Sequence, residues 1–167
     1  HFDRQPAVVS KADYDALKAA QRNGPAAAMD LEGKDCLKRT VKTTAKAYAW
    51  VPYNAACIAA AHAAGRTVFL DFTAKWCASC KLFEKTILNT DEMRQAFVDA
   101  EVVSMIVDMT VERDEDWDLL DTFGRSAIPV YVLLHPDGRR EVLPEGAPVS
   151  LLGRLEATLA KRTATRP

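Results

Sequence analysis

The sequence predicts an α/β fold: a central mixed sheet flanked by helices, preceded by an N-terminal extension. Three observations carry this. From residue 51 on, short runs rich in β-branched and aromatic residues alternate with segments that read as helices. The last two such runs are joined by the turn "PDGR", which makes them an antiparallel hairpin closing an otherwise alternating chain. Hydrophobic residues make up 49% of the 167, enough for a real core.

The elements follow in order. Residues 1–50 hold nine Lys/Arg against six Asp/Glu and few large apolar residues, so they are set apart as a partly helical extension of unassigned function. Within it, Ser10 and Asp13 open a capped helix that "NGP" at 23–25 stops. Residues 26–49 fit helix or strand. "NAACIAAAHAAG" (54–65) is an Ala-rich helix ended by Gly65. "TVFLDFT" (67–73) is a buried strand. "CASCKLFEKTIL" (77–88) starts a helix at its cysteines, and "TDEMRQAFV" (90–98) is a further capped helical segment. "EVVSMIVDMT" (101–110) is the second strand. "RDEDWDLLDTFG" (113–124) is a helix with acids in its first turn and Gly124 past its end. "IPVYVLLH" and "REVLP" form the hairpin, and Ser150 caps a last helix, 151–162. The alternating domain therefore spans 51–162, with 163–167 as a tail. No repeats or low-complexity runs occur.

Charge and length exclude several classes. A net charge of −1 offers no electrostatic footprint for nucleic acid. No apolar run reaches the ~20 residues of a membrane helix, so this chain is not expected to insert in a bilayer directly. The start, "HFDRQPAVVS", has neither a basic nor an apolar leader region, and it begins with His. The expectation is a processed product or an excised domain. Four cysteines are too few for a disulfide scaffold at this length.

The chemistry concentrates in "VFLDFTAKWCASCKLFEK", residues 68–85. Cys77 and Cys80 stand where a buried strand gives way to a helix. Unpaired N–H groups and the dipole at a helix start favour a thiolate on the first cysteine. A thiolate is both nucleophile and leaving group in disulfide exchange, and Cys80 is placed to attack a mixed disulfide at Cys77. A zinc site would need further ligands. His62 and His135 show no ligand spacing, and Cys36 and Cys57 form no second Cys-x-x-Cys. Neither metal nor cofactor is expected, and the redox couple outweighs an inert bridge. Trp76 would shield the sulfur and offer a flat apolar contact. Asp71 sits in the most apolar part of the strand, where burial should raise its pKa. Pro129, after Ile128, opens a strand without a ladder donor. Cys36 and Cys57 can be bridged, tying extension to domain, or be two free thiols, or form a second couple.

"DFTAKWCASCK" and "AIPVYV" resemble the active-site segment and the cis-proline strand of the thioredoxin superfamily. More narrowly, about two-thirds of the chain is similar to the C-terminal periplasmic domain of the DsbD family of transmembrane thiol:disulfide interchange proteins, including copper-tolerance relatives. The matching pieces are "WVPYNAACIAAAHAAGRTVFLDFTAKWCASCK", the Glu of "KLFEK", "FGRSAIPVYVLLHPDG" and "EVLPEG". The resemblance implies a thioredoxin-like fold, and Asp71 as proton acceptor or donor for Cys80. It implies that Glu84, one turn beyond Cys80, joins Asp71 in tuning the thiol. It implies a cis Ile128–Pro129 bond beside the cysteines, leaving Ile128 backbone free for a substrate chain. Two departures stand out: Ala78-Ser79 replaces the Gly-Pro of thioredoxin, and Lys85 replaces its later proline.

The function so implied is a periplasmic protein-disulfide reductase, alone or as a domain of an inner-membrane protein. Its partners would be a transmembrane electron-donor domain or protein and oxidised periplasmic proteins. The alternatives are an independent disulfide reductase or isomerase, and a binding module whose cysteines stay idle.

Overall fold

A computed structural model of the chain describes residues 48–144 and, further on, Gly153 and Ala157, both helical and exposed. The predicted helix after Ser10, Cys36, the tail 163–167 and the rest of the predicted last helix lie outside the described residues.

Five strands form one sheet in the order β1-β3-β2-β4-β5. They are β1 (Val51–Pro52), β2 (Val68–Thr73), β3 (Val103–Asp108), β4 (Val130–Leu134) and β5 (Arg140–Val142). β2 runs parallel to β3 and antiparallel to β4, so the sheet is mixed, as the hairpin required. β1 was not legible in the sequence. It is two residues long and lies at the sheet edge, where Pro52 needs no ladder donor.

The helices are α1 (Ala55–Ala63), α2 (Ala78–Phe83), α3 (Asp91–Asp99) and α4 (Asp114–Asp121). Asn54 caps α1 by accepting from Cys57 N–H at 3.0 Å. Gly65, at φ 70°, ends it, and Arg66 N–H returns to Ala61 O at 2.8 Å. Thr90 caps α3 through Met93 N–H, with Asp91 and Glu92 in the first turn. Glu101 takes the equivalent left-handed position after α3, at φ 53°, and this shortens the predicted second strand to start at Val103.

The predicted helix 77–88 changes character midway. α2 passes at Glu84 into a π turn, Glu84–Leu88, with Asn89 N–H bonding Glu84 O at 2.8 Å. The wider turn begins one residue before Lys85, the position where thioredoxin carries proline.

Side chains alternate across the sheet with the strand period. Val68, Leu70 and Phe72 join one buried cluster with Cys57 and Ala61 of α1 and Trp117 and Leu120 of α4. Phe69, Tyr131 and Leu133 join the other with Leu88, Met93 and Phe97. Tyr48 and Trp50, placed by the sequence in the extension, pack into this second cluster, where Tyr48 stacks on Phe97 at 5.3 Å. The Tyr48 hydroxyl donates to Ser104 Oγ at 2.6 Å. All six residues of β2 are buried, so Asp71 is enclosed on both sides of the sheet and along both strand neighbours.

Candidate active site

The site is assembled where β2 leaves the sheet. Cys77 is the N-cap of α2, and its Sγ accepts from Cys80 N–H at 3.3 Å. Cys77 and Cys80 are joined by a disulfide, with Cα atoms 5.3 Å apart. Cys77 keeps 6% of its surface, whereas Cys80 keeps 0%. Cys77 is therefore the sulfur nearer the surface, and Cys80 lies behind it at the base of the first turn. Ser79 Oγ lies 3.6 Å from Cys77 Sγ.

Trp76, 46% exposed, stands beside the sulfurs. Its Nε1–H donates to Thr110 O at 3.3 Å, and Lys75 N–H donates to Thr110 Oγ1 at 2.9 Å. Thr110 is held in turn by its N–H on Asp108 Oδ1 at 2.9 Å. The loop after β3 thus holds the cysteine loop at its root and the indole at its edge.

The Ile128–Pro129 bond is cis. β4 begins at the next residue, and Phe72 pairs with Val130. That register sets Pro129 at the end of the sheet from which the cysteine loop leaves. Ile128 packs against the cluster that holds Cys77 and Cys80.

Beneath lies a polar group of side chains. Glu84 accepts from Thr73 Oγ1–H at 2.6 Å through one carboxylate oxygen and pairs with Lys81 Nζ at 2.9 Å through the other. The acid on the π turn is thereby drawn against the C-terminal end of β2. Burial holds the Asp71 pKa well above the usual carboxylate range; the negative charge of Glu84 adds to this, and Lys81 opposes it. Asp71 and Glu84 are thus brought together. Thr73 and Tyr131, which complete the group, carried no chemical signal in the sequence beyond being polar residues in apolar strands.

Cys57 is also disulfide-bonded, and no described cysteine is free. Cys36, which the sequence leaves open as its bridge partner, a free thiol or half of a second couple, lies outside the described residues. No helix among the described residues is long and apolar enough to cross a membrane.

Comparison with known proteins agrees with this geometry. The family described as "Thioredoxin-like" matches residues 49–136. The crystal structure of the oxidised DsbD C-terminal domain of Neisseria meningitidis is 32% identical, with a TM-score of 0.51, covering 66% of this chain and 99% of that one. The chain belongs to the thioredoxin-like family, among the DsbD C-terminal domains.

The thiol:disulfide interchange protein DsbD of Ralstonia nicotianae is 35% identical over 105 residues, 62% of this chain but 16% of that protein. DsbD of Pseudomonas fluorescens is 32% identical over 78 residues, 47% of this chain and 13% of that protein. The chain therefore spans less than a fifth of these DsbD relatives. A thioredoxin from Thermus thermophilus, at 23% identity and a TM-score of 0.53, shares the fold. With a redox-capable cysteine pair at the helix start of a DsbD-type thioredoxin-like domain, the chain is a thiol–disulfide oxidoreductase.

Proposed function

We propose that this domain works in the periplasm as a reductive relay, taking electrons from a membrane-embedded donor and passing them to oxidised periplasmic proteins. The observation that carries the reading is the asymmetry of the pair: Cys77 is the accessible helix cap and Cys80 is fully buried beneath it. The whole-protein activity of the DsbD relatives supports it by analogy.

In the reduced domain, Cys77 thiolate attacks a substrate disulfide. A Cys77–substrate bond forms, and the other substrate sulfur leaves as a thiolate. Cys80 then loses its proton and attacks Cys77 Sγ. The Cys77–Cys80 bond forms, the mixed disulfide breaks, and the second substrate sulfur leaves. The substrate has gained two electrons; a dithiol of the donor restores the domain by the reverse exchange. Asp71 is placed in this scheme as the proton acceptor for Cys80, and Glu84 as the charge that tunes it. Trp76 and the Ile128–Pro129 backbone form the docking edge for the substrate chain.

The test is a trap. Cys80→Ser, expressed in the periplasm, should accumulate mixed disulfides at Cys77 that mass spectrometry can name. The wild-type domain should also accelerate insulin reduction by dithiothreitol. A domain that does neither has idle cysteines and is a binding module.

A further inference from the structure

Tyr131 faces Asp71 directly across the β2–β4 ladder, so both side chains leave the same face of the sheet. The tyrosine is buried and its ring stacks on Phe69, 5.9 Å between centroids at 11°. Packing alone would be served by phenylalanine. Instead the position carries a hydroxyl. That hydroxyl and Asp71 Oδ1 are both fully buried, and neither has a hydrogen-bond partner among the described residues. Buried polar atoms are almost always paired, so two unpaired ones on a single cross-strand pair call for a reason.

The Asp71 carboxyl shares a hydrogen bond with Glu84, yet its Oδ1 has no partner, and the other neighbours supply no donor to it. The charged and titratable groups facing Asp71 are Glu84 on the π turn, Lys81 on α2 and Tyr131 on β4. Lys81 is engaged by Glu84 Oε2, and the Thr73 hydroxyl is engaged by Glu84 Oε1. Tyr131 remains. Burial, then the charges of Asp71 and Glu84, push its pKa up. The phenol therefore stays protonated over the working pH range and can only be a neutral donor to an anion.

Resting on the reductase reading above, we propose that Tyr131 is the positioning residue of the buried acid: its O–H supplies the hydrogen bond to Asp71 Oδ1 when that carboxylate is charged. A neutral carboxyl has little need of this donor, and a charged one in an apolar core has a strong need. The structure, with both atoms unpartnered, does not make this bond, so it forms by rearrangement of the two side chains when the carboxylate is charged. In the resolving step, Cys80 S–H gives its proton to the Asp71 carboxylate as the Cys77–Cys80 bond forms and the mixed disulfide breaks. Asp71 can accept only when charged. A donor that favours the charged form lowers the pH at which resolution begins.

The experiment is an NMR titration of the Asp71 side-chain carboxyl in the full oxidised chain, wild type against Y131F. The substitution keeps the ring on Phe69 and removes only the hydroxyl. The Asp71 midpoint should rise by about one pH unit or more in Y131F, the size of a lost charged hydrogen bond. In the reduced proteins, insulin reduction should shift its lower-pH limb upward and keep its high-pH plateau. An unmoved Asp71 midpoint overturns the proposal, as does a loss of rate that is uniform across pH. The titration needs no activity, so an inactive wild type would sink the reductase reading and leave the Tyr131 assignment to be judged by the midpoint.

Discussion

Asp71→Asn should make the folded domain more stable while making it a worse enzyme. The stability half follows from burial. β2 is the middle strand of the sheet, and Asp71 lies between Ile106 of β3 and Tyr131 of β4. Unfolded, its carboxyl titrates near ~3.9. Folded, its pKa is raised, first by burial and then by Glu84. Below about pH 4 the carboxyl is neutral in both states and weakens nothing. As pH rises toward the folded-state pKa, the unfolded chain ionises freely and the folded one does not, so stability is lost. The loss grows by about 1.4 kcal/mol per pH unit and levels off above the folded-state pKa.

Asparagine has no such titration. The difference between Asp71→Asn and wild type should therefore widen from about pH 4 upward at that slope and then plateau. Each 1 kcal/mol corresponds to about 2–4 °C in Tm for a chain of this size. Thermal and urea unfolding of the oxidised proteins, from about pH 4 to about pH 9, would measure it. An imperfect fit of the amide adds an offset that does not vary with pH, so the slope is the decisive quantity. A difference flat with pH would show that Asp71 ionises as easily folded as unfolded, and the argument from burial would fall. On the reduced protein, removing the negative charge should lower the apparent Cys77 pKa in a thiolate absorbance titration and slow resolution through Cys80. An unchanged titration would mean that the acid does not sense the sulfurs.

Two further outcomes are expected. Iodoacetamide should label Cys77 first in the reduced protein, since Cys80 is fully buried; preferential labelling of Cys80 would reverse the assignment of nucleophile. The redox potential, from equilibration with glutathione buffers read by Trp76 fluorescence, should fall at roughly −200 to −270 mV, toward thioredoxin. Ala78-Ser79 supplies no cation to stabilise the thiolate, and the acids oppose it. A value near about −120 mV would mark an oxidant and sink the reductive relay.

What was legible in the sequence was local. Cys77 and Cys80 are read from their spacing at a strand-to-helix junction, and Asp71 from being the one acid in an apolar run. Pro129 is read from opening a strand. What was hidden depends on partners far along the chain or on backbone geometry. Tyr131 reads as an ordinary strand former, because tyrosine favours strands anyway. Its meaning appears only when the antiparallel register sets it opposite Asp71. The Tyr48 hydroxyl reaches Ser104, fifty-six positions away, so residues that composition assigned to an extension belong to the core. The π turn at Glu84 leaves no compositional mark; it shows only in the bond from Asn89 to Glu84. Glu84, at the start of that turn, is drawn against β2 by its bond from Thr73.

The site's demands on the chain can be ordered from this. A thiolate at a helix start is favoured by the helix, which alone would leave Cys77 a good leaving group and the domain an oxidant. In the proposed scheme Asp71 and Glu84 act against that preference, and the enclosure of β2 on both faces strengthens their effect. The same enclosure makes the carboxylate costly to charge, and a base that stayed neutral could not take the Cys80 proton. Lys81 and Thr73 hold Glu84 in place but offer Asp71 no hydrogen bond. A neutral donor opposite Asp71 resolves the conflict, because it favours the carboxylate without adding the positive charge that would favour the thiolate as well. A phenol does this and a lysine would not. If Tyr131→Lys were made, the thiolate should be stabilised along with the carboxylate, and the potential should move toward the oxidising end. Tyr131→Phe should leave the potential nearly where it was and move only the proton.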